Sequence, residues 1–353
     1  MTTPTPYGRI FPPNKAWLAK LPPEEVLDPD LPIVDTHHHL WDRLSADLPQ
    51  GAGGGSNRYF LDEFLEDLNS GHNTIATVFL QCHAMYRAHG PEEMKPVGET
   101  EFVAGIAAMS ESGAYGKARV AAGIVGFADL TLGHRVQPVL EAHLRAGGGR
   151  FRGVRHSAAF EPDPIIGSST DRPGFYLRPD FRQGLARLSA MGLSLDAWVF
   201  HAQIGDVVDL ARAFPATNII MGHCGGPLGY GPYTGKRDEV FSHWRKSIVE
   251  LATCPNVTMK LGGMMMRLAA YDYLNLPAPP SSAEIARMWG PYIETCIEAF
   301  GPYRCIYESN FPVDKMGASW RTIWNAFKRI SAGASADEKL ALFSGNAQRV
   351  YRI

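Results

Sequence analysis

The chain has 353 residues, of which 45% are hydrophobic and 20% are charged, and 34 Lys and Arg nearly balance 36 Asp and Glu. This composition is typical of a globular protein, and without a basic run it argues against a nucleic-acid partner. No stretch approaches the roughly 18 apolar residues of a membrane span, and the polar, proline-rich start lacks a signal-peptide pattern. We therefore expect a cytoplasmic protein with no membrane partner.

Short apolar runs rich in Val, Ile and Phe recur along the chain, and segments with helical periodicity separate most of them. The predicted strands, in chain order, are 33–41, 73–83, 119–130, 151–157, 193–201, 218–226, 256–263 and 304–312. The predicted helices include 101–110, 136–146, 181–191 and 284–300. Apolar strands that alternate with helices indicate a parallel sheet covered on both faces. Eight such units favour an α/β fold with a single (β/α)8 TIM barrel over an open sheet.

The stretches rich in Gly and Pro fall between predicted elements and do not separate two halves of different composition. GAGGGS at 51–56 predicts a flexible loop, and LNLPAPPSS at 274–282 predicts a stiff connection. We expect an N-terminal arm over 1–30 and one barrel domain over 31–353. That domain should close with a C-terminal helical tail from residue 336.

The twelve histidines are the unusual part of the composition, and seven of them stand at or near the ends of predicted strands. These are His37, His38, His39, His83, His156, His201 and His223. In a TIM barrel the active site lies at the C-terminal ends of the strands, so these positions predict a site. The remaining five, which are expected at the surface, are His72, His89, His134, His143 and His243.

His37 and His39 are two residues apart on the first predicted strand. Residues i and i+2 of a strand share a face, so both imidazoles can point into the barrel while His38 points toward the helices. Neutral imidazole is a favoured ligand of divalent metals. With His201 and His223 at the ends of two further strands, four imidazoles are expected to meet at the C-terminal opening of the barrel. The alternative is a chance pair in a His-rich turn.

The last predicted strand supplies a carboxylate and an amide on one face, Glu308 and Asn310. If Asn310 faces a metal, Glu308 lies one layer deeper and can orient a metal ligand. The alternative for Glu308 is a buried carboxylate paired with a core Arg or Lys. Asp314 follows in the loop, where we expect a helix N-cap or a salt bridge rather than a ligand.

Two cations also stand at strand ends, Arg155 and Lys260. Each can hold a substrate carboxylate, and arginine offers a two-pronged fork for it. The alternative is an internal ion pair with Glu308 or Asp35. His83 and His156 are candidates for additional metal ligands or substrate contacts.

Several motifs together resemble the amidohydrolase-2 family. They are DTHHHLWD at 35–42, GVRH at 153–156, MGHCGGP at 221–227, VTMKLGG at 257–263, SNFPVDK at 309–315 and GNAQRVY at 345–351. The family consists of metal-dependent TIM-barrel hydrolases, among them sugar lactonases, pyrone-dicarboxylate lactonase and aminocarboxymuconate-semialdehyde decarboxylase. The resemblance implies that His37, His39 and His201 bind the metal. It also implies that His223 binds or polarises the substrate or the attacking water.

One position departs from the family pattern, because its strand-8 aspartate, a metal ligand and general base, falls on Asn310. An amide can give a metal its carbonyl oxygen, but it cannot take a proton at neutral pH. His223 and Glu308 are then the candidates for the base. We count His223, Glu308 and Asn310 as the catalytic residues.

These features predict a metal-dependent hydrolase that acts on a lactone, or a related ester or amide bond, of a small anionic molecule. The expected cofactor is a divalent ion, zinc first, with manganese and iron as alternatives. Three other functions remain open: an oxygen-dependent iron or manganese oxygenase, a non-hydrolytic decarboxylase, and a degenerate subunit that supports an active paralogue. We expect a homo-oligomer, with a hetero-oligomer as the alternative.

Overall fold

The computed structural model describes residues 13–43, 57–266 and 276–353. The strands within these ranges are β1 (Ile33–His38), β2 (Trp41–Arg43), β3 (Asn57–Tyr59), β4 (Thr74–Leu80), β5 (Arg119–Gly126), β6 (Phe151–Ser157), β7 (Ser194–Trp198), β8 (Ile219–Met221), β9 (Val257–Gly262) and β10 (Cys305–Glu308). The loop predicted at 51–56 and the first residues of the connection predicted at 274–282 lie outside the described residues.

The helices surround these strands. They are α1 (Lys15–Leu18), α2 (Leu61–Leu68), α3 (Val97–Glu111), α4 (Gln137–Ala146), α5 (Pro179–Ala190), α6 (Ile204–Ala213), α7 (Arg237–Ala252), α8 (Ser282–Phe300), α9 (Trp320–Ile330), α10 (Ala336–Leu340) and α11 (Asn346–Tyr351). A turn of π-helix, Ala341–Gly345, joins the last two. None of the helices in the described ranges is long and apolar enough to cross a bilayer.

Eight of the strands form one parallel sheet in the order β1-β4-β5-β6-β7-β8-β9-β10. The sheet curls so that its last strand returns to its first. His38 bridges Phe311 in parallel register, and the His39 N–H donates to the Phe311 carbonyl at 2.8 Å. The remaining strands, β2 and β3, form a separate antiparallel hairpin. This arrangement confirms the predicted (β/α)8 barrel.

The sequence explains why these segments adopt their elements. Barrel strands such as β1 and β9 are buried along their whole length, as expected of strands covered on both sides. The α8 helix begins with a capping box in which Ser281 and Glu284 satisfy each other's backbone N–H groups. At the other end of the chain, α11 packs its Val350 and Tyr351 against barrel-lining residues such as Ile220.

Two of the histidines expected at the surface are buried, so that prediction was wrong for His72 and His143. The His143 ring stacks on Phe151 with the centroids 4.8 Å apart, and its two nitrogens hydrogen-bond the Thr100 hydroxyl and the Phe127 carbonyl. A helix histidine whose two ring nitrogens are both hydrogen-bonded and whose ring stacks on a phenylalanine faces the interior of the protein. Helical location alone could not distinguish it from a solvated one.

Candidate active site

Glu308, the last residue of β10, lies at the centre of the site and is completely buried. The His37 Nδ1–H donates to its Oε2 at 2.7 Å. Its Oε1 accepts the backbone N–H of His223 at 2.8 Å and lies 2.7 Å from His223 Nδ1. Burial by itself would raise the pKa of Glu308, but His223 and His37 together hold that pKa well below its usual range. The group is therefore an ionised carboxylate that accepts the His37 Nδ1–H and lies against the His223 ring.

These contacts determine which ring nitrogen carries the proton. An ionised carboxylate beside Nδ1 keeps the proton of His37 and of His223 on that atom. His39 places its Nδ1 2.8 Å from the carbonyl oxygen of Leu80, which can only accept, so its proton is also on Nδ1. Burial lowers the pKa of His37 and His223, which keeps both rings neutral. His37 and His223 therefore have an unprotonated Nε2, and a neutral His39 ring has one as well.

The Nε2 atoms of His37 and His39 are spaced as two ligands of one divalent metal would be. His37 Nε2 and His39 Nε2 are 3.2 Å apart, and two nitrogen ligands about 2.05 Å from a tetrahedral zinc would be about 3.3 Å apart. His223 Nε2 is buried with no hydrogen-bond partner among the described residues, and its ring centroid is 4.7 Å from that of His37. Metal-bound histidines commonly donate their other N–H to a carboxylate or a carbonyl. His37 and His39 have such a partner at Nδ1, and His223 Nδ1 lies 2.7 Å from Glu308 Oε1.

Ligand atoms of His37, His223 and Glu308 also lie within 4.8 Å of one another. The carboxylate could therefore contribute directly to an ion. It already engages both neighbouring rings, however, which favours an orienting role. The structure thus brings together His37, His223 and Glu308, and His39 Nε2 lies 3.2 Å from His37 Nε2.

His201 lies elsewhere. Strand β7 ends at Trp198, three residues earlier than the predicted strand, and His201 begins a short 3-10 turn. Its Nδ1 accepts the Leu228 N–H at 3.4 Å, and its ring packs against Tyr233 with the centroids 5.1 Å apart. Burial lowers the pKa of His201 to about 4, so the ring is neutral. With Nδ1 accepting, its proton is on Nε2. A ligand role for His201 stays a prediction that this geometry does not favour.

His38 points away from the other two histidines of β1, as the alternation of side chains predicts. Its ring stacks on Phe64 of α2 with the centroids 4.4 Å apart, and its Nε2 lies 2.9 Å from the Thr77 hydroxyl. The prediction that His38 faces the helices is confirmed.

Lys260 forms the internal ion pair that was one of its two alternatives. Its buried ammonium donates to the carbonyl of Thr36 at 2.7 Å, lies 3.0 Å from Asp196 Oδ1, and lies 3.8 Å from Glu308 Oε2. Asp196 also accepts the Tyr351 hydroxyl at 2.8 Å. Asp196 was not predicted as a site residue. The sequence feature that could have identified it is a lone carboxylate within the apolar run LSLDAWVF.

A small cavity of about 10 Å³ lies beside these groups, which is room for roughly one water molecule. Its lining residues are His37, Leu80, Arg155, Asp196, Ala197, Trp198, Gly222, His223 and Lys260. Arg155 therefore lies beside the predicted metal site. Its guanidinium makes one long hydrogen bond of 3.5 Å to the Gln81 carbonyl, which leaves it able to meet a substrate anion.

The other two predicted contact residues flank Phe127 outside this cavity. The His156 ring centroid lies 5.1 Å from that of Phe127 and 5.1 Å from that of Phe175. Burial lowers the pKa of His156 to about 4. His83 is exposed and has its Nδ1 3.2 Å from the Tyr86 hydroxyl. Neither belongs to the group around Glu308, and their roles in substrate binding stay predictions.

Asn310 is held by a second buried carboxyl group. Its Nδ2 donates to Asp314 Oδ1 at 2.8 Å, and the Met265 N–H donates to Asp314 Oδ2 at 3.3 Å. Asp314 was expected to cap a helix or form a salt bridge. It is not the cap of the short helix that it begins, because Val313 is the cap residue, and a salt bridge stays a prediction. The amide nitrogen of Asn310 is thereby committed to Asp314.

Two glycines at the end of β9, Gly262 and Gly263, let the site close, and neither was singled out from the sequence. A Cβ at Gly263 would lie 1.8 Å from His223 Nδ1, and one at Gly262 would lie 2.1 Å from the Glu308 carbonyl oxygen. Only a residue without a side chain permits this approach. The pair stands in the LGG motif at 261–263.

Comparison with known proteins agrees with this architecture. A sequence model described as amidohydrolase matches residues 34–353. The uncharacterised protein y4mH of Sinorhizobium fredii is 34% identical over 92% of this chain and 99% of its own. The L-fucono-1,5-lactonase of Burkholderia multivorans is 28% identical over 91% of this chain and 96% of its own.

Solved structures give the same result. The crystal structure of an amidohydrolase from Burkholderia multivorans with bound zinc matches with a TM-score of 0.70 at 26% identity, over 91% of this chain and 99% of that one. The sequence match, the barrel and the histidine group at its strand ends agree with one another. The chain therefore belongs to the amidohydrolase family, and it is a hydrolase.

Proposed function

We propose that this protein hydrolyses a lactone of a small sugar acid with the help of one divalent metal ion. The observation that carries the proposal is the histidine group, in which the Nδ1 atoms of His37, His39 and His223 each lie within 2.8 Å of an acceptor oxygen, so that Nε2 of a neutral ring can bind a metal. The lactonase names of several relatives support the substrate class. The zinc bound by a structural neighbour supports the metal.

A bound divalent ion would polarise the lactone carbonyl and lower the pKa of a bound water toward about 7. His37, His39 and His223 would hold this ion, and Glu308 would keep two of the rings in the required tautomer. Arg155 lines the adjacent cavity and would hold the polar groups of the substrate. Lys260 balances the buried negative charge of Glu308 and Asp196.

The test uses protein purified without chelators, metal analysis, and a panel of lactones that includes L-fucono-1,5-lactone and L-rhamnono-γ-lactone. Acid release is followed with a pH indicator, before metal removal and after reloading with zinc, manganese or iron. We expect turnover that disappears with the metal and returns with one of the ions. Oxygen uptake or release of carbon dioxide without lactone hydrolysis would contradict the proposal.

The variant His39→Ala should lose bound metal and turnover together, because it removes one of the three nitrogen ligands. His89→Ala is a matched control, since His89 is exposed and lies outside the site. A His39→Ala protein that retained both metal and full activity would refute the proposed ligand set.

A further inference from the structure

We propose that Asp196 is the general base of the reaction and replaces the carboxylate that position 310 lacks. This inference rests on the proposed lactone hydrolysis. It assigns the proton-accepting role to a residue on β7 that carries no recognised motif. Asn310 itself cannot accept a proton at neutral pH.

The other buried acceptors near the site are already engaged. Both oxygens of Glu308 face the two histidines. Both oxygens of Asp35 accept from Ser309, at 2.8 Å each. The Nε2 of His223 has a single lone pair, which can bind an ion or take a proton but cannot do both.

Asp196 differs from these groups because one of its two oxygens is unused. Its Oδ1 accepts from Lys260 and Tyr351, at 3.0 and 2.8 Å. Its Oδ2 is buried and has no hydrogen-bond partner among the residues that the structure describes. The side chain is only 3% exposed. An unsatisfied buried carboxylate oxygen is costly for a protein to retain, so its presence needs a reason.

The cavity supplies that reason. Asp196 lines the space that His37 and His223 also line, and this space has room for about one water molecule. A water there would satisfy Asp196 Oδ2 and would lie beside the histidines that fit the metal. Lys260 and Tyr351 hold the carboxylate by its other oxygen, so Oδ2 is the atom presented to the water.

Glu99 shows that an unpartnered carboxylate oxygen does not by itself identify a general base. It is also buried, its Oε1 accepts the backbone N–H groups of Cys82 and Ala84, and its Oε2 has no hydrogen-bond partner in the described ranges. It does not line the cavity, however. Glu99 is therefore the matched control for Asp196.

In the proposed step, Asp196 Oδ2 takes a proton from the water as the water oxygen bonds to the lactone carbonyl carbon. The bond from that carbon to the ring oxygen then breaks, and Asp196 returns its proton to the ring oxygen, which leaves as a hydroxyl. The new carboxyl group releases its proton to solvent. One lactone and one water thus give one hydroxy acid, and the enzyme ends unchanged.

The experiment compares the wild type with Asp196→Asn and Glu99→Gln, all with metal content and thermal midpoint measured. The amide oxygen of Asp196→Asn can still accept from Lys260 and Tyr351. We expect a fall in kcat of about 10² to 10⁴, the usual contribution of a general base, with KM and metal content little changed. Glu99→Gln should retain kcat within about threefold.

A second variant, Asp196→Ala, opens space for a small carboxylate, and we expect added formate to restore part of its kcat. A loss that is merely structural would not respond to formate. Retention of wild-type kcat by Asp196→Asn, or failure of formate to restore Asp196→Ala, would overturn the assignment while lactone hydrolysis stands. A wild type without activity on any lactone would overturn the proposed function, and this inference with it.

Discussion

Replacing Glu308 with glutamine tests whether its carboxylate orients the two histidines or is only a buried charge. The two oxygens of Glu308 face the Nδ1 atoms of His37 and His223, each at 2.7 Å. An amide has one oxygen and one NH2 group, so it can accept from only one of these rings. The other ring would have to move its proton to Nε2, and it would then lose the lone pair that a metal needs.

The size of the effect follows from these contacts. Loss of a carboxylate that orients a metal-bound histidine typically costs 10- to 100-fold in metal affinity, which corresponds to about 1.4 to 2.7 kcal/mol. The apoprotein should also lose about 1.5 to 3 kcal/mol of its free energy of unfolding, since a charge-assisted buried hydrogen bond is lost. Lys260 keeps its partner Asp196 at 3.0 Å, so the fold should survive.

The assay equilibrates wild type and Glu308→Gln with zinc buffered by graded chelator, and then measures bound metal. The free-zinc midpoint of the variant should rise 10- to 100-fold. Glu99→Gln controls for loss of a buried carboxylate outside the histidine group. If Glu308→Gln binds zinc with the wild-type midpoint, Glu308 does not set the tautomers of His37 and His223.

Two further predictions concern the closure of the site and acid stability. Gly263→Ala should displace the His223 ring and lower kcat by 100-fold or more, since its Cβ would lie 1.8 Å from Nδ1. Gly235 has a similar positive φ but open space around it, so Gly235→Ala introduces the same backbone strain without a clash and should retain activity. Equal kcat values in the two variants would show that the clash with His223 does not lower kcat. Burial lowers the pKa of His143 from 6.5 to about 4, so the unfolded chain binds more protons between those values. The contribution of His143 to the free energy of unfolding is therefore fully present above about pH 6.5. It falls on acidification by up to about 1.4 kcal/mol per pH unit. Urea titrations from pH 7.5 to 4.5 should show a shallower loss in His143→Gln, and an unchanged slope would refute this attribution.

The barrel and half of the histidine group were predictable because they depend on local periodicity. Alternating apolar strands and helices fix the fold class. The two-residue repeat of a strand places His37 and His39 together and sends His38 to Phe64 of α2. Neither inference needs knowledge of which distant segments meet.

The ends of the strands were less predictable. The apolar run containing β7 continues through Val199 and Phe200, both buried, after the strand has ended at Trp198. Hydrophobicity therefore extended the predicted strand to His201 and placed that side chain at the mouth. The change of backbone direction that begins the 3-10 turn at His201 is not encoded in a hydrophobic pattern.

The charge network depends on closure of the whole barrel. Lys260 on β9 meets Asp196 on β7, and Tyr351 reaches that same carboxylate from the last helix. These partners are far apart in the chain, and no spacing rule connects them. Glu308 was foreseen as either an orienting group or an ion-pair partner. The structure places it in contact with both His37 and Lys260.

Asn310 is best understood together with its neighbour. An aspartate there would turn its carboxylate toward Asp314, whose oxygen is now 2.8 Å from the Asn310 amide nitrogen. Two buried carboxyl groups in contact cannot both ionise, so an aspartate at position 310 would share one proton with Asp314. The amide avoids this conflict by donating to Asp314. A base on β7 is compatible with that arrangement, because the ammonium of Lys260 lies between Asp196 and Glu308.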